Sequence, residues 1–159
     1  MLSYLSDTLA RETQEIKTAA AKSLHEVAEA IHKRSLVIIF SDMMENLAGL
    51  NNIEEIFSSL QHLKHNKHEI ILFHVVDKEK ELDFQFENRP YVFVDMETGE
   101  KVKVHTNQVK EHYLEQMEKF KKELKLKCGQ YQVDFIEADI NKDFTQVLIP
   151  YLLKRTRLF

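Results

Sequence analysis

The chain contains five consecutive apolar residues, Leu36 to Phe40, that run directly into Ser41 and Asp42. An apolar run without alternating polar residues is typical of a strand that is covered on both faces. Ligands of open α/β sheets bind just beyond the carboxyl ends of such strands. We therefore predict a central strand with Asp42 at the ligand-binding end, although Ser and Asp also commonly form turns at strand ends.

The surrounding pattern predicts alternating helices and strands. Apolar residues at helical spacing predict one or two helices within residues 1–33 and a helix after the first strand, begun by a capping box of Asn52 and Glu55. A last helix from about residue 142 contains Pro150, which should kink or divide it. Two more apolar runs predict strands: Ile70–Val76, which ends at Asp77, and Tyr131–Ala138, which ends at Asp139.

Residues 78–106 interrupt this alternation. The segments Tyr91–Val94 and Lys101–Val104 flank Gly99, which can take the positive φ of a tight connection, so we predict an inserted β-hairpin. A long helix over residues 107–129 should end with Gly129 as its C-cap. Its apolar stripe consists of Val109, Tyr113, Met117, Phe120, Leu124 and Cys128. The fold class is α/β with three layers, in which residues 34–77 and 130–159 form the core around a short parallel sheet.

Composition excludes several classes of function. A chain of 159 residues that is 43% hydrophobic fits one domain, and its net charge of -4 disfavours nucleic-acid binding. Three scattered glycines exclude both phosphate-binding glycine motifs, which need clustered glycines. Cys128 is the only cysteine, so an internal disulfide is impossible and a reducing compartment fits best. No apolar run approaches the roughly 20 residues that span a bilayer, and we expect a cytoplasmic protein.

The predicted strand ends carry the best set of candidate site residues. Asp42, Asp77 and Asp139 each follow one strand, so a parallel sheet would bring all three acids, with Ser41, to the same edge. Carboxylates and water are the usual ligands of Mg²⁺ in proteins. A magnesium-dependent hydrolase that transfers phosphoryl groups is therefore one hypothesis. The alternative is that these acids only cap turns.

The histidines and the cysteine suggest structural roles instead. His62, His65 and His68 are spaced by three residues at a helix end, unlike the i, i+4 pair of helical zinc sites, which favours interaction with the helix C-terminus over metal binding. His74 lies within a strand and is expected to be a hydrogen-bonded core residue. Cys128 lies on the apolar stripe, where its thiol should be inert.

Several stretches of the chain resemble one bacterial family. They are LHEVAE at 24–29 followed by RSLVIIFSD at 34–42, HEIILFHVVD at 68–77, ELDF at 81–84 and VDMETGE at 94–100. Together they resemble the C-terminal part of the proteins of domain-of-unknown-function family 58. The similarity covers the chain from about residue 18 onward, and the D-x-E-T-G-E hairpin is its most specific motif.

The resemblance implies a von Willebrand factor A-like, Rossmann-like domain with a metal-ion-dependent adhesion site. In such domains the site combines a D-x-S-x-S loop, a Thr and an Asp at the carboxyl edge of the sheet. Here Asp42 matches the Asp and Thr18 is the candidate Thr, whereas the N-terminal half that would carry D-x-S-x-S is absent from the sequence. Two ligands hold Mg²⁺ poorly. We therefore expect no cofactor in this chain as it stands, with Mg²⁺ possible in a complete domain.

The same resemblance implies a protein partner, a MoxR-type AAA+ ATPase, and a non-catalytic role in interaction or assembly. Without the N-terminal half, the strand 36–40 should have an open edge that pairs with a second copy of the chain or is covered by the N-terminal helix. Two other hypotheses stay open: the magnesium-dependent hydrolase, and a truncated fragment without activity of its own.

Overall fold

The computed structural model describes residues 20–44, 50–94 and 99–156, and of residues 50–53 it describes the backbone only. The predicted helical segment before residue 20 therefore lies outside the described residues. In chain order the elements are α1 (Ala20–Ala30), β1 (Leu36–Ser41), α2 (Leu50–His65), β2 (Glu69–Val76), a π-helical turn (Lys78–Leu82), β3 (Pro90–Val94), β4 (Lys101–His105), α3 (Thr106–Gln130), β5 (Asp134–Asp139) and α4 (Thr145–Thr156). None of the described helices is both long and apolar enough to cross a membrane.

The main sheet has three parallel strands in the order β1-β2-β5. Ile38 is the register partner of Ile71, and Phe73 is the partner of both Phe40 and Ile136. Each crossover to the next parallel strand passes through a helix, α2 after β1 and α3 after β2, as parallel pairing requires. The predicted α/β fold with a short parallel sheet is thus confirmed.

One side of this sheet, which we call the covered face, carries the hydrophobic core. Its side chains pack against α1, α2 and α3 because alternate residues of each strand point to the same side. The fully buried Phe57, Leu63 and Leu124 come from the helices. The strand residues of the covered face are Val37, Ile39, Ile70, Leu72, His74 and Phe135, and Val133, just before β5, is buried with them.

The opposite side, which we call the groove face, is covered only in part, by α4. Its β1 residues remain accessible: Leu36 is 41% exposed, Ile38 46% and Phe40 70%. The prediction of a central strand buried on both faces is therefore wrong. β1 is an edge strand of the described sheet, and its outer edge has no strand partner among the described residues. Successive residues of its apolar run point alternately to the covered face, where they are packed, and to the groove face, where they are exposed.

The inserted hairpin and the long helix are confirmed. β3 and β4 pair antiparallel, with Tyr91 opposite Val104, and Gly99 has the expected positive φ of 71°. The predicted stripe of α3 supplies four buried side chains, those of Met117, Phe120, Leu124 and Cys128.

Two helix-boundary predictions are wrong, and of the two effects predicted for Pro150, a kink or a division, the division does not occur. α2 is already helical at Leu50, so Asn52 lies inside it and cannot be its N-cap. α3 continues past Gly129, and the left-handed residue that follows is Gln132, with φ of 55°. α4 continues through Pro150 as one element instead of dividing, although a proline removes one helical hydrogen bond.

Candidate functional site at the carboxyl edge of the sheet

The end of β1 is shaped by two side chains that bond to the backbone just after them. Ser41 Oγ accepts a hydrogen bond from the Met43 amide at 3.0 Å, and Asp42 Oδ1 accepts one from the Met44 amide at 3.0 Å. These are the local turns that Ser and Asp form after a strand. They hold the chain in a sharp bend, at which Met43 has a φ of 56° and is buried.

The ends of β2 and β5 are joined through one asparagine. Asp77 Oδ1 accepts hydrogen bonds from the Lys80 amide at 3.1 Å and from Asn141 Nδ2 at 2.8 Å. Asp139 Oδ1 accepts one from the Asn141 amide at 3.1 Å, and this bond is the main reason that its pKa lies below its usual value. Each of these two carboxylates therefore uses one oxygen to hold neighbouring loops together.

A fourth acid, Glu81, lies at the same edge. Its Oε2 accepts a hydrogen bond from the Asp77 amide at 2.8 Å, and its carbonyl accepts one from Tyr113 Oη at 2.8 Å. Burial raises the pKa of Glu81, and the charges of Asp42 and Asp77 raise it further. Sequence reasoning missed this residue because the turn that brings it back towards Asp77 is π-helical, and no periodic apolar pattern indicates such a turn.

Beneath this edge lies His74, which is fully buried on the covered face. Its Nε2 is 2.9 Å from the Asp42 carbonyl oxygen, so Nε2 carries the proton and donates it to that bond. Its Nδ1 is buried without a hydrogen-bond partner in the described part of the chain. Burial lowers the pKa of His74 and keeps the ring neutral. The predicted hydrogen-bonded core histidine is confirmed, and it anchors the turn that carries Asp42.

The described residues do not fit a complete magnesium site at this edge. The oxygens of Asp42, Asp77 and Asp139 do not form a group within 4.8 Å of one another. Thr18 lies outside the described residues. One exposed carboxylate and one serine hydroxyl, both already bonded to backbone amides, are too few to hold an ion that dehydrates reluctantly. The metal role of Asp42 and Thr18 stays a prediction.

The family is decided by a comparison of the chain with protein-family models. The model of the family described as Protein of unknown function DUF58 matches residues 1–123 of the 159. The chain belongs to this family. Neither the curated proteins nor the solved structures compared with the chain include a match.

In this DUF58 family member a concavity lies on the groove face, next to the carboxyl edge. It is an apolar groove of about 540 Å³ between the sheet and α4. Its polar lining residues include Asp139 and Lys142, and Tyr151 also lines it. The apolar lining residues are Ile38, Phe40, Phe73, Val75, Ala138, Ile140, Phe144, Val147 and Leu148.

The far end of α4 is fixed to the sheet by ion pairs. Arg155 contacts Glu69 at 3.0 Å, and Lys154 contacts Asp134 at 2.8 Å. The ring of Tyr151 meets that of Phe73 edge to face, with 6.0 Å between centroids. Phe144, which lies just before α4 and lines the groove, is 71% exposed.

The histidines that the sequence grouped together separate in the structure. His68 is buried, and its Nδ1 accepts a hydrogen bond from the Ser35 amide at 3.1 Å, which fixes the start of β1. His62 instead lies beside His25 and Glu29 of α1. The signal that could have found this group is the i, i+4 spacing of His25 and Glu29 on a helix that packs beside α2.

Proposed function

We propose that this chain is a non-catalytic protein-interaction module that binds its partner by strand addition along β1. The observation that supports this most directly is the combination of an unpaired outer edge of β1, among the described residues, with exposed apolar side chains on the same strand. An unpaired edge offers a row of backbone donors and acceptors to another chain. Extended segments bind such edges through main-chain hydrogen bonds, and side-chain pockets supply specificity.

The groove supplies the pocket that such a partner needs. A strand laid beside β1 would place alternate side chains over the groove face, next to Ile38 and Phe40. Leu36, Ile38 and Phe40 are 41%, 46% and 70% exposed, so completing their burial contributes about 2 to 5 kcal/mol at 1.5 to 3 kcal/mol per fully buried side chain. This burial free energy offsets part of the entropic cost of binding and can support an association of moderate affinity.

The proposed partner is a MoxR-type AAA+ ATPase, and the proposed architecture is a von Willebrand A-like domain with an incomplete adhesion site. Family membership supports the architecture, and the sequence resemblance supports the partner. Asp42 at the end of β1 would belong to that site only in a complete domain, with Thr18 and a D-x-S-x-S loop from a preceding segment. We place this interaction in the cytoplasm, in keeping with the single reduced cysteine.

The test compares substitutions on and off the proposed surface. We expect Ile38→Lys to weaken binding of the purified ATPase at least 10-fold in calorimetry, because a charge would be buried against the added strand. Val92→Lys is the matched control, since Val92 is 56% exposed on the separate hairpin sheet. Equal binding by both variants and the unchanged chain would refute the proposal.

Two further outcomes identify other functions. If light scattering shows a dimer that Ile38→Lys dissociates, the occupant of the β1 edge is a second copy of this chain and the ATPase assignment fails. If the chain hydrolyses phosphate esters with Mg²⁺ and Asp42→Asn abolishes the activity, the non-catalytic assignment fails and the magnesium-dependent hydrolase is correct.

A further inference from the structure

A second group of side chains, far along the chain from the strand-end acids, joins α1 to α2. His25 and Glu29 lie one turn apart on α1, and His62 lies in the last turn of α2. One ligand atom from each residue lies within 4.8 Å of the other two. Among the described residues this is the one group of three or more potential metal ligands that meets this distance.

The packing of the two helices holds this group together. The hydroxyl of Ser59, one turn before His62, lies 3.3 Å from the carbonyl oxygen of Ala21 on α1 and 3.1 Å from that of Glu55 on its own helix, and Ala21 lies one turn before His25. Ala28 is the buried residue of α1, and its small side chain takes up little space where α1 packs into the core. The three potential ligands therefore lie at the rim of a packed helix interface, where the backbones keep their positions relative to each other.

The potential ligand atoms lie somewhat farther apart than in a closed metal site. His62 Nδ1 is 3.9 Å from Glu29 Oε1, and the rings of His25 and His62 have centroids 6.2 Å apart. In a tetrahedral zinc site, with ligands about 2.0 to 2.2 Å from the ion, neighbouring ligand atoms are about 3.4 Å apart. The side chains of His62 and Glu29 are 42% and 62% exposed, so they have room to rotate towards each other from 3.9 Å to about 3.4 Å. The same exposure lets an ion reach them from solvent.

We propose that His25, Glu29 and His62 form a binding site for a divalent transition-metal ion of the Zn²⁺ type. Two imidazoles and one carboxylate are a donor set for such ions, whereas Mg²⁺ and Ca²⁺ prefer oxygen ligands alone. A water molecule would complete the coordination on the exposed side. The ion would link α1 to α2. This proposal does not rest on the proposed interaction function.

An ordinary surface ion pair is the competing explanation. An exposed contact of 3.9 Å between His62 and Glu29 contributes little to stability and would not by itself bring His25 into the group. The two explanations differ in what Zn²⁺ does to the protein. If two helices contribute the ligands, Zn²⁺ binds only to the folded chain and therefore raises its melting temperature. An ion pair between His62 and Glu29 would give no such specific response to Zn²⁺.

The experiment titrates the full chain, after treatment with a chelator, with Zn²⁺ against a competing indicator. We expect saturable binding of one ion, weakened at least 10-fold by His25→Ala and by His62→Ala. His65→Ala is the matched control, because His65 is an exposed histidine on the same helix outside the group, and it should bind as the unchanged chain does. Zn²⁺ should raise the melting temperature of the unchanged chain and of His65→Ala, and should not raise that of His25→Ala or His62→Ala.

Co²⁺ substitution gives a second readout, since absorption bands in the visible range report the coordination of the ion directly. If either alanine variant fails to fold, Glu29→Gln replaces it in the same titration and is expected to lower the affinity in the same way. Binding that is absent, or that His25→Ala, His62→Ala and Glu29→Gln leave unchanged, overturns the proposal.

Discussion

The two faces of the parallel sheet are built from similar residues and have different surroundings. On the covered face, Val37 is 8% exposed and Leu72 1%. On the groove face, the neighbouring β1 residues Ile38 and Phe40 are 46% and 70% exposed. Apolar composition therefore does not decide burial within a strand. What decides it is whether the described chain supplies a helix for that side, and it supplies three for one face and one for the other.

This difference bears on stability and, under the proposed function, on binding. The covered face can stabilise the domain because its side chains already contact α1, α2 and α3. The groove face leaves apolar area exposed to solvent, and contiguous exposed apolar surface is typical of interaction sites in folded proteins. The comparison leads to three predictions about stability.

The largest effect is expected from aromatic truncation on opposite faces. Phe57→Ala should lower the free energy of unfolding by about 3 to 5 kcal/mol, because Phe57 is fully buried in the core. Phe40→Ala should lower it by less than about 1 kcal/mol, the value of its stacking on Phe73 at 4.9 Å. Urea denaturation measures both. A large loss for Phe40→Ala would mean that the groove face is covered in solution.

A smaller effect is expected from pH, through His74 on the covered face. Because its pKa in the folded state lies below the ordinary 6.5, the unfolded chain binds the proton first as the pH falls. The stabilisation is therefore complete above about pH 6.5 and decreases below it, at up to about 1.4 kcal/mol per pH unit. The charges of Glu137 and Asp42 raise this pKa and that of Lys121 lowers it, but burial dominates.

The matching variant is His74→Gln, which keeps a donor for the Asp42 carbonyl and does not titrate. Between pH 7.5 and 5.5 it should lose less unfolding free energy than the unchanged chain, because it has no imidazole that binds a proton only after unfolding. His65→Ala removes an exposed histidine and should leave the pH dependence as it is. Identical pH profiles for His74→Gln and the unchanged chain would show that His74 does not cause the decrease.

The smallest effect is expected at the carboxyl edge, where the two faces meet. Asp77→Ala should cost about 1 kcal/mol, because Asp77 Oδ1 caps the π-helical turn and also binds Asn141. Asp42→Ala should cost about half of that or less, since the carboxylate of Asp42 is exposed and accepts a single bond from Met44. Thermal denaturation with and without Mg²⁺ compares them. A Mg²⁺-dependent loss confined to Asp42→Ala would establish a metal site that the described residues do not complete.

Local periodicity predicted the fold well where one element determines its own environment. The stripe of α3 follows from residue spacing alone, and Met117, Phe120, Leu124 and Cys128 are buried as expected. The surroundings of β1 depend on elements that lie elsewhere in the chain or in another molecule, and so its apolar run could not reveal an open face. Gly129 failed as a cap because Gln132 takes the left-handed conformation three residues later.

The sequence predicted which acids lie at the strand ends but not their surroundings. Asp42 and Asp77 directly follow β1 and β2, and Asp139 is the last residue of β5. Their hydrogen-bond partners come from turns whose geometry no periodic pattern encodes. The group of His25, Glu29 and His62 required the relative placement of two helices, which only tertiary packing provides.

The order of strands in the sheet also bears on how the domain is made. β2 pairs with β1, and β5 pairs with β2, so spatial order follows the order in which a ribosome releases the strands. Each new strand can add to an edge that already exists, without waiting for a distant segment. The outer edge of β1 does not take part in this growth. Among the described residues that edge has no strand partner, and unpaired apolar edges are prone to aggregate during synthesis, so early binding of the proposed partner would protect the nascent chain.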